Sequence, residues 1–208
     1  ASLDAESIGN GITRGCIEVL SECDHPITIT TKSDRVTRDI DLLGPMAAKG
    51  LAAVMVSVTS LDPKIACTVE PRAPHPERRL AAVAKLRAAG IPTYVSLSPV
   101  IPQITDHEIE HIMERAAEAG APGCFYLPVR LPHEVAPLFR AWLDEHFPDR
   151  AGKVMATIQS IRGGRDNDPD FHSRFRGKGP WAELLRTRFK IAARRFGPRL
   201  GAEDADLE

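Results

Sequence analysis

Three joints in this 208-residue chain share one form. A stretch with helical periodicity ends in AAKG, RAAG or AEAG, and an apolar segment follows the glycine at Gly50, Gly90 and Gly120. Glycine just past the last turn is a common helix stop. The segments after the glycines are short and rich in β-branched residues, as strands are. A chain that alternates strand and helix in this way folds as an α/β sheet of parallel strands joined by right-handed crossovers.

The strands are expected at residues 26–31, 51–58, 92–97 and 123–127. Helices are expected at 13–23, at 35–49 with Asp34 as its cap, at 76–89, and at 107–119 capped by Thr105 or Asp106. Further helices are expected at 134–146, interrupted near Pro137, and at 153–161. The run from Leu51 to Val58 reads as a strand buried on both faces, and Asp62-Pro63 then breaks the chain into a charged loop. A closed eight-strand barrel needs about 250 residues, so four clear strands in 208 suggest part of a barrel or a small open sheet.

Parallel strands place their C-terminal ends on one edge, where ligand sites of such sheets form. Lys32, Ser33, Ser57, Thr59, Ser98 and Arg130 are therefore expected to gather there. Lys32 and Ser33 stand before a helix start and suit a carboxylate or a phosphate, or Lys32 is simply an exposed lysine. Ser57 lies where a buried strand meets the cleft, or is a small residue that permits close packing. Glu70 and Arg72 are expected to pair with each other in their loop.

Composition narrows the classes. No apolar run approaches the roughly 18 residues that would span a membrane, and no N-terminal signal pattern is visible, so a cytoplasmic location is expected. Cys16, Cys23, Cys67 and Cys124 have neither disulfide-scaffold nor metal-ligand spacing and read as free thiols. His107-Glu108-Ile109-Glu110-His111 fits the H-E-x-x-H zinc pattern, but Ile109, Ile112, Met113, Ala116 and Ala117 form the buried stripe of that helix, which turns both histidines to solvent. Net charge is −1 and unevenly placed: residues 162–199 hold eleven Lys or Arg against four acids. Nucleic acid is a candidate partner for this segment through Arg162, Arg165, Arg174 and Arg176. The segment also carries an apolar set, Leu184, Leu185, Phe189, Ala192, Ala193 and Phe196, by which it is expected to pack onto the sheet rather than extend as a free arm.

Several stretches resemble the radical S-adenosylmethionine (SAM) proteins related to spore photoproduct lyase, often described as DNA repair photolyase-like. They are ITRGCIEVL, ITTKSDRVTRDIDLL, VSVTSLDPKIACTVEPRAP with the helix after it, SPVIPQITDHEIEHIMERAAEAGA, LPVRLPHEVAPLFRAWLDEHFPDR and the basic segment. The resemblance implies a partial (β/α) barrel of the radical SAM type with parallel strands, followed by a helical basic C-terminal segment. It implies three regions: 1–150, the C-terminal part of the (β/α)6-like partial barrel; 151–200, a helical extension; and 201–208, a disordered tail. The family's CxxxCxxC motif, which holds a [4Fe–4S] cluster, is absent, so the chain resembles the C-terminal two thirds of the family domain, either as a truncated piece or as a relative that lost the cluster. By similarity Lys32 in TKS and Ser57 in SVTSLD match positions that hold SAM. The resemblance thus implies SAM and a [4Fe–4S] cluster as cofactors of the full-length protein, with none expected in this chain alone, which would be inactive by itself. Full-length activity would be reductive SAM cleavage and hydrogen abstraction. Cys67, Cys124 and Tyr126 are candidate hydrogen donors only because their S–H and O–H groups can supply hydrogen. Two other classes stand beside this one: a non-redox barrel enzyme of aldolase or epimerase type, and a nucleic-acid-binding module without catalysis.

Overall fold

The computed structural model describes residues 11–170 and 174–200, without the side chains of 197–200. The readings of 1–10 as loop and 201–208 as tail lie outside the described residues. The elements in order are α1 (Ile12–Glu22), β1 (Ile27–Thr31), a 3-10 turn (Asp34–Asp39), α2 (Ile40–Ala48), β2 (Ala52–Ser57), α3 (Pro63–Val69) and α4 (Pro76–Ala88). They continue with β3 (Thr93–Val100), a 3-10 turn (Asp106–Glu108), α5 (Ile109–Glu118), β4 (Cys124–Pro128), α6 (Val135–His146), α7 (Pro148–Ile161) and α8 (Pro180–Leu200).

The four strands form one sheet in the order β1-β2-β3-β4, every pair parallel. Gly50, Gly90 and Gly120 take φ of +72°, +77° and +83°, a left-handed conformation that ends each helix and that a side chain would strain. The register sets which side chains share a face. Val54 and Val56 of β2, Val95 and Leu97 of β3, and Cys124 and Tyr126 of β4 look toward the helices. Their core closes with Leu43, Leu86, Ile112 and Met113.

The opposite face carries Thr28, Thr30, Ala53, Met55, Ser57, Tyr94, Ser96, Phe125 and Leu127. Thr28, Thr30 and Leu127 are exposed, and Ala53, Met55, Tyr94 and Phe125 are half-buried. This corrects the expectation that β2 is buried on both faces. Its apolar run is continuous, but Ala and Met serve equally well on a half-open face, so the run alone does not report a second covering layer.

A second core lies past the C-terminal ends of β3 and β4, where Ile101, Ile104, Val129 and Leu131 pack with Leu143 of α6 and Val154, Met155 and Ile158 of α7. Trp142 of α6 donates from its indole nitrogen to the Thr68 carbonyl at 3.2 Å, which ties this core to α3. The helix α8 packs as its apolar set requires: Leu185, Ala192 and Phe196 are buried, and Phe189 lies 4.7 Å from the ring centre of Tyr126. Leu184 is 56% exposed and falls outside that stripe. Gly177 lets the chain turn into α8, since a Cβ there would come within 3.3 Å of Ile161.

Three local expectations are corrected. Ser33, not Asp34, caps the first turn, its hydroxyl accepting from the Arg35 N–H at 3.2 Å, while Asp34 takes Arg78 at 2.8 Å. Pro137 does not interrupt α6, because it falls in the first turn, where its missing N–H has no partner to lose. The segment after Asp62 is not all loop. Asp62 accepts from the Lys64 N–H at 2.7 Å, Pro63 occupies the first helical position, and α3 follows.

Candidate functional site

The strand ends converge on one buried carboxylate. Glu70 lies just past α3, with its side chain 5% exposed. Its Oε1 accepts from the Thr59 hydroxyl at 2.6 Å and stands 2.8 Å from Lys32 Nζ. Its Oε2 stands 2.6 Å from Arg79 Nη1 but outside hydrogen-bond geometry. That nitrogen donates to the Ser57 carbonyl at 3.0 Å, and Arg79 Nε donates to the Pro74 carbonyl at 2.8 Å. The single Thr59 proton is shared between Glu70 and the Ser98 carbonyl, which lies 3.0 Å away. The ends of β1, β2 and the β3 segment at Ser98 are thus joined with α4 through one side chain.

Burial pushes the Glu70 carboxyl up, but hydrogen bonds from Lys32 and Thr59 and the charges of Arg79 and Lys32 outweigh it and hold the group below its ordinary range. Two cations face one carboxylate, so the cluster carries one positive charge in excess. The outer cation is Lys32, 43% exposed, whereas Arg79 is 1% exposed. Glu70 therefore does not pair with Arg72 as expected. Its ionic partners are Lys32, just past β1, and Arg79 of α4.

Lys32, Ser57, Thr59 and Ser98 gather as the strand-end argument requires. Ser57 is buried and shares the open face with Ser96 and Phe125 by register. Arg130 does not join them. Its guanidinium stacks on Phe175 at 5.1 Å, and Arg174 covers the same ring at 4.7 Å.

The candidate hydrogen donors are dispersed. Cys124 and Tyr126 sit on the helix-covered face, opposite Ser57, because adjacent strand positions alternate. Burial pushes the Cys124 thiol up to about 12. Burial also raises Tyr126, with Arg186 opposing, and its ring is held against Phe189. Cys67 is exposed on α3, and Cys16 and Cys23 are exposed at α1. Among the described residues no three His, Cys, Asp or Glu side chains converge to hold a metal ion, so these thiols do not fit the ligand set of an iron–sulfur cluster.

His107 and His111 are exposed, as the helix face requires. The glutamate between them has another task. Glu108 is 8% exposed, and its carboxylate accepts from the Ser60 hydroxyl and from the N–H groups of Leu61 at 2.7 Å and Asp62 at 3.3 Å. It fixes the turn that leads from β2 into α3, and with it the approach to Glu70. The sequence signal for Glu108 was hidden inside the zinc-like pattern.

In the basic segment, Arg162 is 4% exposed. Its guanidinium donates to the carbonyls of Arg174 and of Val129, the latter at 3.0 Å. It ties α7 to the chain after β4 and cannot reach a surface partner, which removes it from the expected nucleic-acid set. Arg165 and Arg176 are exposed. On α8, Arg188 pairs with Glu110 at 2.6 Å.

The sequence profile of the Radical SAM superfamily matches residues 10–116, which include β1 to β3 and the whole Lys32–Glu70–Arg79 cluster. The chain belongs to the radical SAM superfamily. It is 32% identical over 137 residues to an uncharacterized protein of Mycobacterium tuberculosis, covering 65% of this chain and 40% of that one. It is 28% identical over 123 residues to an uncharacterized protein of Methanocaldococcus jannaschii, covering 59% and 44%. Two mutants of spore photoproduct lyase share the fold, each with TM-score 0.58 and 14% identity, over 86% of this chain and 53% of theirs. The α/β parallel sheet expected from the sequence is thus the radical SAM fold in the arrangement that lyase shows. The chain spans about 40% of the length of the mycobacterial relative. No helix among the described residues is long and apolar enough to cross a membrane.

Proposed function

We propose that this chain is the SAM-gripping part of a radical SAM enzyme of the spore photoproduct lyase type, with Lys32 and Ser57 as the contacts. The observation that carries the reading is the excess positive charge at the strand ends, presented by Lys32 at an edge where the superfamily profile matches. The amino-acid end of SAM bears a carboxylate, which an ammonium held at a strand end recognises by a charge-assisted hydrogen bond. Bound SAM would supply, together with a reduced [4Fe–4S] cluster, the chemistry of reductive cleavage and hydrogen abstraction in the full-length protein, with Lys32 and Ser57 holding SAM. The cluster ligands would come from outside this chain. The substrate reading is an anionic polymer such as nucleic acid, met by Arg165, Arg174 and Arg176 of the basic segment.

Calorimetric titration with SAM tests the reading. Lys32→Ala removes a charge-assisted contact worth about 1.5–3 kcal/mol, roughly tenfold or more in affinity, whereas Ser57→Ala removes a neutral one worth ~1 kcal/mol. Equal affinity for wild type and Lys32→Ala would remove Lys32 from the site. Duplex DNA binding that weakens steeply with salt supports the substrate reading, and absence of binding at low salt rejects it.

A further inference from the structure

We infer that Glu70 is the positioning residue of this site: it holds the Lys32 ammonium at the strand ends and couples it to the β2–β3 junction, so that ligand affinity depends on Glu70 through Lys32. The inference rests on the reading of Lys32 as a SAM contact. A lysine on a four-carbon stem at 43% exposure has many rotamers, and binding a ligand with it costs the entropy of fixing one. Here that cost is met in the folded protein. Glu70 takes one of the three ammonium donors at 2.8 Å and leaves two for an acidic group.

Glu70 is itself fixed from two sides. Thr59 donates to Oε1, Arg79 faces Oε2, and both partners are buried. Arg79 in turn is fixed by the carbonyls of Ser57 and Pro74. The carboxylate also sets the charge of the site. With Glu70 ionised, Lys32 and Arg79 leave one net positive charge, enough to attract a carboxylate without the mutual repulsion that two uncompensated cations would impose. Glu70 thus needs no contact with the ligand in order to govern its affinity.

The test is a double-mutant cycle read by SAM titration, with thermal melting of each variant as the control for folding. Glu70→Gln keeps the shape and removes the charge. Glu70→Asp keeps the charge and withdraws it by one methylene, which serves if the Gln variant unfolds. Each is expected to weaken SAM binding by roughly tenfold, the scale of one charge-assisted contact. Lys32→Ala combined with either is expected to bind no more weakly than Lys32→Ala alone, because Glu70 acts through Lys32. Additive losses would assign Glu70 a merely structural role and overturn the inference.

A second readout needs no ligand. Acetylation of Lys32 is followed by mass spectrometry against Lys49, which pairs with the exposed Asp24 at 2.7 Å and serves as internal reference. Lys32 is expected to be modified several-fold faster in Glu70→Gln than in wild type. An unchanged rate overturns the positioning role whatever SAM does. A faster rate together with SAM affinity unchanged by Lys32→Ala would keep Lys32 positioned by Glu70 but refute its use for SAM.

Discussion

At Glu70 a single buried carboxylate meets a lysine just past β1, a threonine and an arginine, and the consequence for stability has a definite sign. Its carboxyl is held below the ordinary glutamate value of 4.5 in the folded protein. A depressed folded value means that the stabilisation is complete above the unfolded value and is lost as pH falls toward the folded one. The protein is therefore expected to lose stability on acidification below about pH 4.5, and Glu70→Gln is expected to flatten that acid limb. Urea denaturation across pH 2.5–7 checks this, and an identical acid limb in the Gln variant would contradict it. Glu70→Ala should cost about 3–5 kcal/mol at neutral pH, because it leaves Arg79 buried without its counter-charge. Sequence position suggested Arg72 as the partner of Glu70 because the two are neighbours. The true partners lie 38 and 9 residues away (70 − 32 and 79 − 70), brought in by the crossovers, and a linear reading carries no sign of which ones they are.

The elements divide into those that advertise themselves and those that depend on contacts. The glycine joints announced three strand starts, and the i, i+3, i+4 stripe of α5 correctly turned His107 and His111 outward. The helix α3 went unread because Asp-Pro looks like a breaker, although the same pair is an N-cap followed by proline at the first helical position. The role of Glu108 was likewise invisible, since its partners are 46 to 48 residues away. The structure predicts opposite outcomes within the H-E-x-x-H stretch. His107→Gln with His111→Gln should change stability by no more than about 0.5 kcal/mol and leave metal content unaltered. Glu108→Ala, which strands the Leu61 N–H and takes the carboxylate partner from Ser60, should cost roughly 2 kcal/mol. Chemical denaturation and metal analysis decide, and loss of bound zinc in the histidine pair would overturn the assignment. The basic helix α8 belongs to the body of the protein through Leu185, Phe189, Ala192 and Phe196. Leu185→Ala should destabilise by about 2–5 kcal/mol. Amides of residues 181–196 should exchange slowly, and exchange at random-coil rates would contradict the packing.

Over the whole molecule, a parallel sheet is covered by helices on one face and left partly open on the other, and the Lys32–Glu70–Arg79 cluster stands at the C-terminal edge of its strands. That edge is where parallel α/β sheets place their ligands, and the arrangement was legible from the β/α rhythm before any contact was known. What the rhythm did not carry was the division of the edge into two groups. Lys32, Ser57, Thr59 and Ser98 gather around Glu70, whereas Arg130 turns to Phe175 and the basic segment. We propose that SAM binds at the first group. The most direct test is a two-dimensional amide NMR titration of the full-length protein with SAM. Shifts are expected to concentrate at Lys32, Ser57, Thr59, Glu70 and Ser98 and to require roughly tenfold more SAM in Lys32→Ala. Shifts confined to α6–α8, or a spectrum unchanged at saturating SAM, would contradict it.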